Sequence, residues 1–121
     1  MARAEGHVLV LDSVTTERHE ESEMMNLLDR IRDPSHAAFR SPSAMRLIVQ
    51  AAGLEIVDEH LSEERSALSR WMWPGEFEEG RIAEVRAFIE KHGAETGMDF
   101  ERDGDDWTFT RRRLMLLARR A

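Results

Sequence analysis

The sequence predicts an α/β fold, and three observations carry that prediction. Residues 41–57, SPSAMRLIVQAAGLEIV, read as a capped helix that closes on a glycine and runs straight into a strand, the αβ half of a βαβ unit. Residues 8–11, VLVL, form a continuous apolar run followed by Asp12 and Ser13. Such a run suggests a strand buried on both faces, as in a parallel sheet. The stretch between these two strands is long enough for a right-handed crossover, so they can lie parallel.

The elements follow in order. Thr15, Thr16 and Glu17 can cap a helix running to about Ile31, with Met24, Leu27, Leu28 and Ile31 as its apolar face. Pro34 biases Asp33 away from the helical region, so this helix stops near Arg32. Ser41 is a good N-cap, and Pro42 occupies the first helical position, where its missing N–H costs nothing. Met45, Ile48, Val49 and Ala52 then share a face, and Gly53 is free to take the left-handed conformation that ends the helix.

The strand opening at Leu54 and Ile56 is expected to end near Glu59 and His60. Residues 63–73 have helical composition, closed by Pro74 and Gly75. Residues 78–92 form an amphipathic helix with Ile82, Val85, Phe88 and Ile89 on one face. Residues 98–102 read as a short strand, residues 104–106 as a turn, and residues 107–118 as one bent strand or two short ones. No repeat, low-complexity tract or linker divides residues 1–121, which read as one domain.

Composition excludes several functions. The 24 acidic against 17 basic residues leave a net charge of −7, which argues against nucleic acid as partner. The arginine runs at 111–113 and 119–120 either blunt a strand or hold phosphate. With no cysteine there is no disulfide, thiolate chemistry or Cys-ligated zinc, and the five histidines lack metal-site spacing. No apolar run is long enough to span a membrane, and the first six residues have no secretory core, so a cytoplasmic protein is expected.

Four segments together resemble the back half of a class I S-adenosylmethionine-dependent methyltransferase of the ubiquinone/menaquinone-biosynthesis type. They are GHVLVLDS (residues 6–13), RDPSH (32–36), SPSAMRLIVQAAGLEI (41–56) and FTRRRLMLLARR (109–120). The resemblance implies the fifth to seventh strands of a seven-stranded Rossmann-like sheet. It implies a three-stranded mixed core in the order second, last, first, with the last strand antiparallel between the other two. The family holds its cofactor with the front half, through a Gly-x-Gly-x-Gly turn. Here the glycines stand at 6, 53, 75, 80, 93, 97 and 104, with no two separated by a single residue. No cofactor-binding residue is therefore expected in this chain, and S-adenosylmethionine would bind only if another chain or segment supplied that half.

Ligands of open α/β sheets sit beyond the carboxyl ends of the parallel strands. That rule selects Asp12 and Ser13 after the first strand and Glu59 and His60 after the second, of which Asp12, Ser13 and His60 are the substrate-binding candidates. Asp12 could orient a substrate hydroxyl or cap the next helix. His36, in the RDPSH loop, is the candidate catalytic base, or else a hydrogen-bonding structural residue. Arg32 could hold an anionic substrate group or pair with Asp29 or Asp33. Trp71, with Met72 and Trp73, could line an apolar substrate pocket, as the segment between the last two strands does in that family, or cover the sheet.

No nucleophile elbow, phosphate loop or triad is present. The residues leave open whether the chain is part of an enzyme. The resemblance implies a substrate-side half of a small-molecule methyltransferase. The alternatives are a non-enzymatic dimerisation or binding module derived from one, and an unrelated small α/β binding protein. The first strand's far edge would be bare and the helices would cover mainly one face, so a homodimer or a cofactor-binding partner chain is expected.

Overall fold

The computed structural model describes residues 2–4, 6–35, 38–72 and 79–120. Its frame is a sheet of β1 (Ala2–Ala4), β2 (His7–Ser13), β3 (Leu54–Ala67), β4 (Glu101–Asp103) and β5 (Asp106–Arg120). The strands lie in the order β1-β2-β5-β3, with β4 on β5 as well, and every hydrogen-bonded pair is antiparallel. The expected three-stranded core is therefore present, with β5 running antiparallel between β2 and β3. Two short strands extend it. The last segment is one strand rather than two.

The helices are α1 (His19–Arg32), α2 (Pro42–Ala51), α3 (Leu68–Trp71) and α4 (Glu79–His92), followed by a 3-10 turn at Gly93–Glu95. Local chemistry sets α2 as the sequence predicts. Ser41 Oγ accepts from the Ala44 N–H at 3.2 Å, Pro42 opens the first turn, and Gly53 closes it at φ +83°. Its buried stripe is narrower than expected: Pro42, Met45 and Val49 are inside, whereas Ile48 is 51% exposed. The start of α1 differs. Arg18 stands at its N-cap without a side-chain bond, and Thr16 Oγ1 instead donates to Glu21 Oε1 at 2.6 Å. The inward residues of α1 are Met25, Leu28 and Asp29, so its buried face is rotated from the one periodicity suggests.

β3 is the largest departure from expectation. It passes through Glu59 and His60 and ends only at Ala67, where a helix was expected from residue 63. The cause lies in β5. Glu63 and Glu64 stand opposite Arg112 and Arg111 in register, and Arg112 Nε lies 3.5 Å from Glu63. Arg65 donates to Thr108 Oγ1, Thr110 Oγ1 and the Asp99 carbonyl at 2.8–3.0 Å. Cross-strand pairs outweigh local helix propensity here. One bulge, between Ile56 and Asp58, bends the strand.

Two cores form on opposite faces of β5, as alternation along a strand requires. Leu114, Leu116 and Ala118 pack against Val14, Met45 and Val49 under α2. Phe109 points the other way into a cluster of Met25, Leu28, Leu68, Val85, Ile89 and Met98 from α1, α3, α4 and the loop before β4. Helices thus cover both faces, not mainly one. The Phe109 face is covered only at one end. Further along it, β2 leaves Leu11 61% exposed, so β2 is not the doubly buried strand its apolar run suggests. Its outer edge is also not bare. The chain turns at Gly6 (φ +80°) and β1 pairs with residues 7–9, leaving residues 10–13 beyond the register.

Gly97 holds a close approach as well as a left-handed turn. A Cβ there would lie 2.7 Å from Glu21 Oε1 and 2.9 Å from Thr16 Cγ2, at φ +71°. Gly97→Ala is expected to cost about 1–3 kcal/mol in urea denaturation, from left-handed strain plus loss of the Thr16–Glu21 bond.

Candidate functional site

The carboxyl ends of β2 and β3 meet the first half of β5 beside α1 and α3. A small cleft opens there, lined by Ser13, Met25, Phe39, Trp71, Phe109 and Arg111, with Met98, Thr110 and Arg112 completing its wall. Because β3 ends at Ala67, the position beyond its carboxyl end belongs to the α3 segment that carries Trp71.

Trp71 is wedged between aromatic and cationic neighbours. Its ring lies 5.2 Å from that of Phe109 at 55°, and the Arg32 guanidinium sits 4.3 Å above it. Arg32 is held in turn by Asp29, with Nη2 and Nε donating to Oδ1 at 2.7 and 2.9 Å. Of the two roles considered for Arg32, the structure displays the pairing with Asp29. Met72 is buried in the core with Phe109.

Asp106 anchors α3. Ser69 Oγ donates to Oδ2 at 2.7 Å, and the Ser69 and Trp107 N–H groups donate to Oδ1 at 3.2 and 2.8 Å. Burial pushes the Asp106 carboxyl up, but these hydrogen bonds and the Arg86 guanidinium outweigh it and leave it below its ordinary value. A depressed acid stabilises the fold above the unfolded value and loses that contribution as pH falls through the folded one. Stability followed by circular dichroism is expected to drop below about pH 4, with a shallower acid limb in Asp106→Asn.

The sequence-predicted residues divide by the geometry of the strands. Ser13, Arg32 and Trp71 come together around the cleft. Asp12 precedes Ser13 in β2 and so faces the other side of the sheet, exposed, where its Oδ1 accepts the Ser13 N–H at 2.8 Å. His60 lies within β3 rather than after it, opposite Met115 and exposed, four residues from Glu64. That places it roughly 13 Å along the strand from the Arg111 level. Glu59 beside it is engaged by Arg46 of α2 at 2.6–3.1 Å. His36, Trp73, Pro74 and Gly75 lie outside the described residues.

Sequence reasoning missed the part played by Phe39, Phe109 and Arg111. The available signal was the antiparallel direction of β5, which carries the start of that strand to the carboxyl ends of its neighbours. Among the described residues no cluster of three His, Asp or Glu side chains could hold a metal ion. Among them also, no helix is long and apolar enough to cross a membrane.

A nucleoside cofactor needs a glycine turn after a strand, where backbone approaches the ligand. β2 is followed by Val14, Thr15 and Thr16, with no glycine. Gly6 and Gly104 turn hairpins, Gly53 ends α2, and the space over Gly97 is filled by Glu21 and Thr16. The described residues do not fit that group.

Two solved structures share the fold. One is BH2331 of Bacillus halodurans C-125, described as "a putative methyltransferase": TM-score 0.84, 20% identity, 94% of this chain and 55% of that one covered. The other is YcgJ of Bacillus subtilis: TM-score 0.79, 19% identity, 96% of this chain and 51% of that one covered. This chain therefore spans about half the length of each. No protein-family model and no curated protein matches the sequence.

Proposed function

We propose that residues 1–121 form a single domain, the substrate-side half of a class I S-adenosylmethionine-dependent methyltransferase of the ubiquinone/menaquinone-biosynthesis type, acting on a small molecule in the cytoplasm. The observation that carries this reading is the sheet order, in which an antiparallel β5 separates a parallel β2 and β3. Its support is the match of nearly the whole chain to about half of a methyltransferase-like fold. The cofactor-binding half comes from another chain or segment. It meets the open part of the β2 edge and covers Leu11 on the same side of the sheet as the cleft. Methyl transfer by direct displacement depends mainly on positioning. The mouth of the cleft, with Ser13, Arg32 and Trp71 about it, is where the acceptor is held, and His36 is the candidate base.

Exposed Leu11, Leu47 and Ile48 also favour a second reading, a non-enzymatic homodimerisation or binding module derived from such an enzyme. One titration separates the two. Calorimetry with S-adenosylmethionine is expected to show no saturable binding to this chain alone. Saturable binding on adding a protein with the glycine-rich front half supports the enzyme reading. Failure there, with sedimentation showing a stable homodimer, supports the module.

A further inference from the structure

The arginines of β5 are not equivalent. Arg119 and Arg112 face acidic partners: Arg119 Nε lies 3.2 Å from Glu55, and Arg112 reaches Glu63, Asp99 and the Gly97 carbonyl. Arg111 and Arg113 differ, although they share the face that bears Phe109. Arg113 stands in register between Ser13 of β2 and Ser62 of β3, with no carboxylate opposite. Arg111 faces Glu64 across β3 yet lines the cleft instead, and no hydrogen bond or ion pair involves either guanidinium among the described residues. Both are partly buried. Burial holds the Arg111 guanidinium below its ordinary value, the neighbouring Arg113 and Arg32 add repulsion, and Glu64 only partly opposes them.

Partly desolvated like charges without a partner are costly, and apolar side chains of similar shape would be favoured in their place. The cleft itself, about 20 Å³, admits little more than a water molecule. Ser13 and Arg111 at its wall and Arg113 in register with Ser13 nevertheless form a matched set for an anion at its mouth, with the uncovered sheet that bears Leu11 beside them for an apolar body. We propose that Ser13, Arg111 and Arg113 bind the anionic group, carboxylate or phosphate, of an apolar small molecule. Resting on the methyltransferase reading, this molecule is the methyl acceptor. Arg32, already held by Asp29, supports Trp71 rather than the anion.

The test uses the full 121-residue chain and no cofactor. The arginine Nε–H and tryptophan indole resonances are followed by NMR during titration with benzoate, inorganic phosphate and neutral benzamide. Saturable displacement of the Arg111, Arg113 and Trp71 signals is expected with at least one anion and not with benzamide. The tighter anion distinguishes carboxylate from phosphate. Arg111→Gln is expected to weaken binding at least about tenfold, the loss of one charge-assisted hydrogen bond, while Arg119→Gln leaves it unchanged.

Arg111→Met is expected to abolish the response and raise the melting temperature by about 3 °C, since it removes a partly desolvated charge that has no hydrogen bond or ion pair among the described residues. An equal response to benzamide, no saturable response to either anion, or binding that survives in Arg111→Gln overturns the proposal. So does a lower melting temperature in Arg111→Met, which would make the arginine a structural residue. Anion binding with no S-adenosylmethionine binding in any assembly would refute the methyltransferase reading and leave this site standing. Methyl transfer without an anion response would do the reverse.

Discussion

Phe109→Ala is expected to destabilise the chain by about 3–5 kcal/mol, measured by urea unfolding. Phe109 is 1% exposed and stands where three helices meet β5. Its ring lies 5.2 Å from Trp71 and 5.5 Å from Phe100, so truncation removes two aromatic contacts as well as buried area. The void would open beside Leu28, Leu68 and Val85, none of which is exposed enough to collapse from the surface. A domain of this size is held by about 5–15 kcal/mol, so the variant should be largely unfolded at modest urea concentration. A loss below about 1 kcal/mol would mean that the helices do not dock on this face as described.

Arg32→Met carries the second large effect, about 3 kcal/mol. The Asp29 side chain is 0% exposed, and two of its hydrogen bonds come from Arg32. Removing one partner of a buried pair leaves the other charge poorly compensated, which costs far more than the pair contributes. The cation over Trp71 adds a smaller term. The double variant Arg32→Met, Asp29→Leu should recover most of the loss, because the uncompensated carboxylate goes with it. Failure of that rescue would place the cost in Trp71 rather than in Asp29. Trp71 emission reports the distinction, since its ring loses the guanidinium in both variants.

What was legible in the chain was what local chemistry decides. Ser41, Pro42 and Gly53 mark α2 to the residue, and Val85 and Ile89 mark the inner face of α4. The placement of β5 between β2 and β3 came from resemblance, not from propensity. What was illegible depends on residues far apart. The second half of β3 looks helical until Arg111 and Arg112 are set against Glu64 and Glu63. Asp29 looks solvated until Arg32 bonds it, so the α1 face was read one step out of place. The three residues of β1 carry too little pattern to announce a strand. The cleft itself was only partly visible. Ser13 follows from the strand-end rule and Trp71 from the resemblance, but Arg111 joins them only through a register set by the antiparallel strand.

The outer margin of β3 bears on how copies of this chain can join. Glu55, Asp58, Glu59, Glu63 and Glu64 are all exposed along β3, which among the described residues pairs with no strand but β5. Glu55, Glu59 and Glu63 are answered by Arg119, Arg46 and Arg112, so it is Asp58 and Glu64 that set like charge against like where two such margins meet, which disfavours sheet-to-sheet extension at that end. On the opposite side of the sheet, residues 10–13 of β2 lie beyond the β1 register.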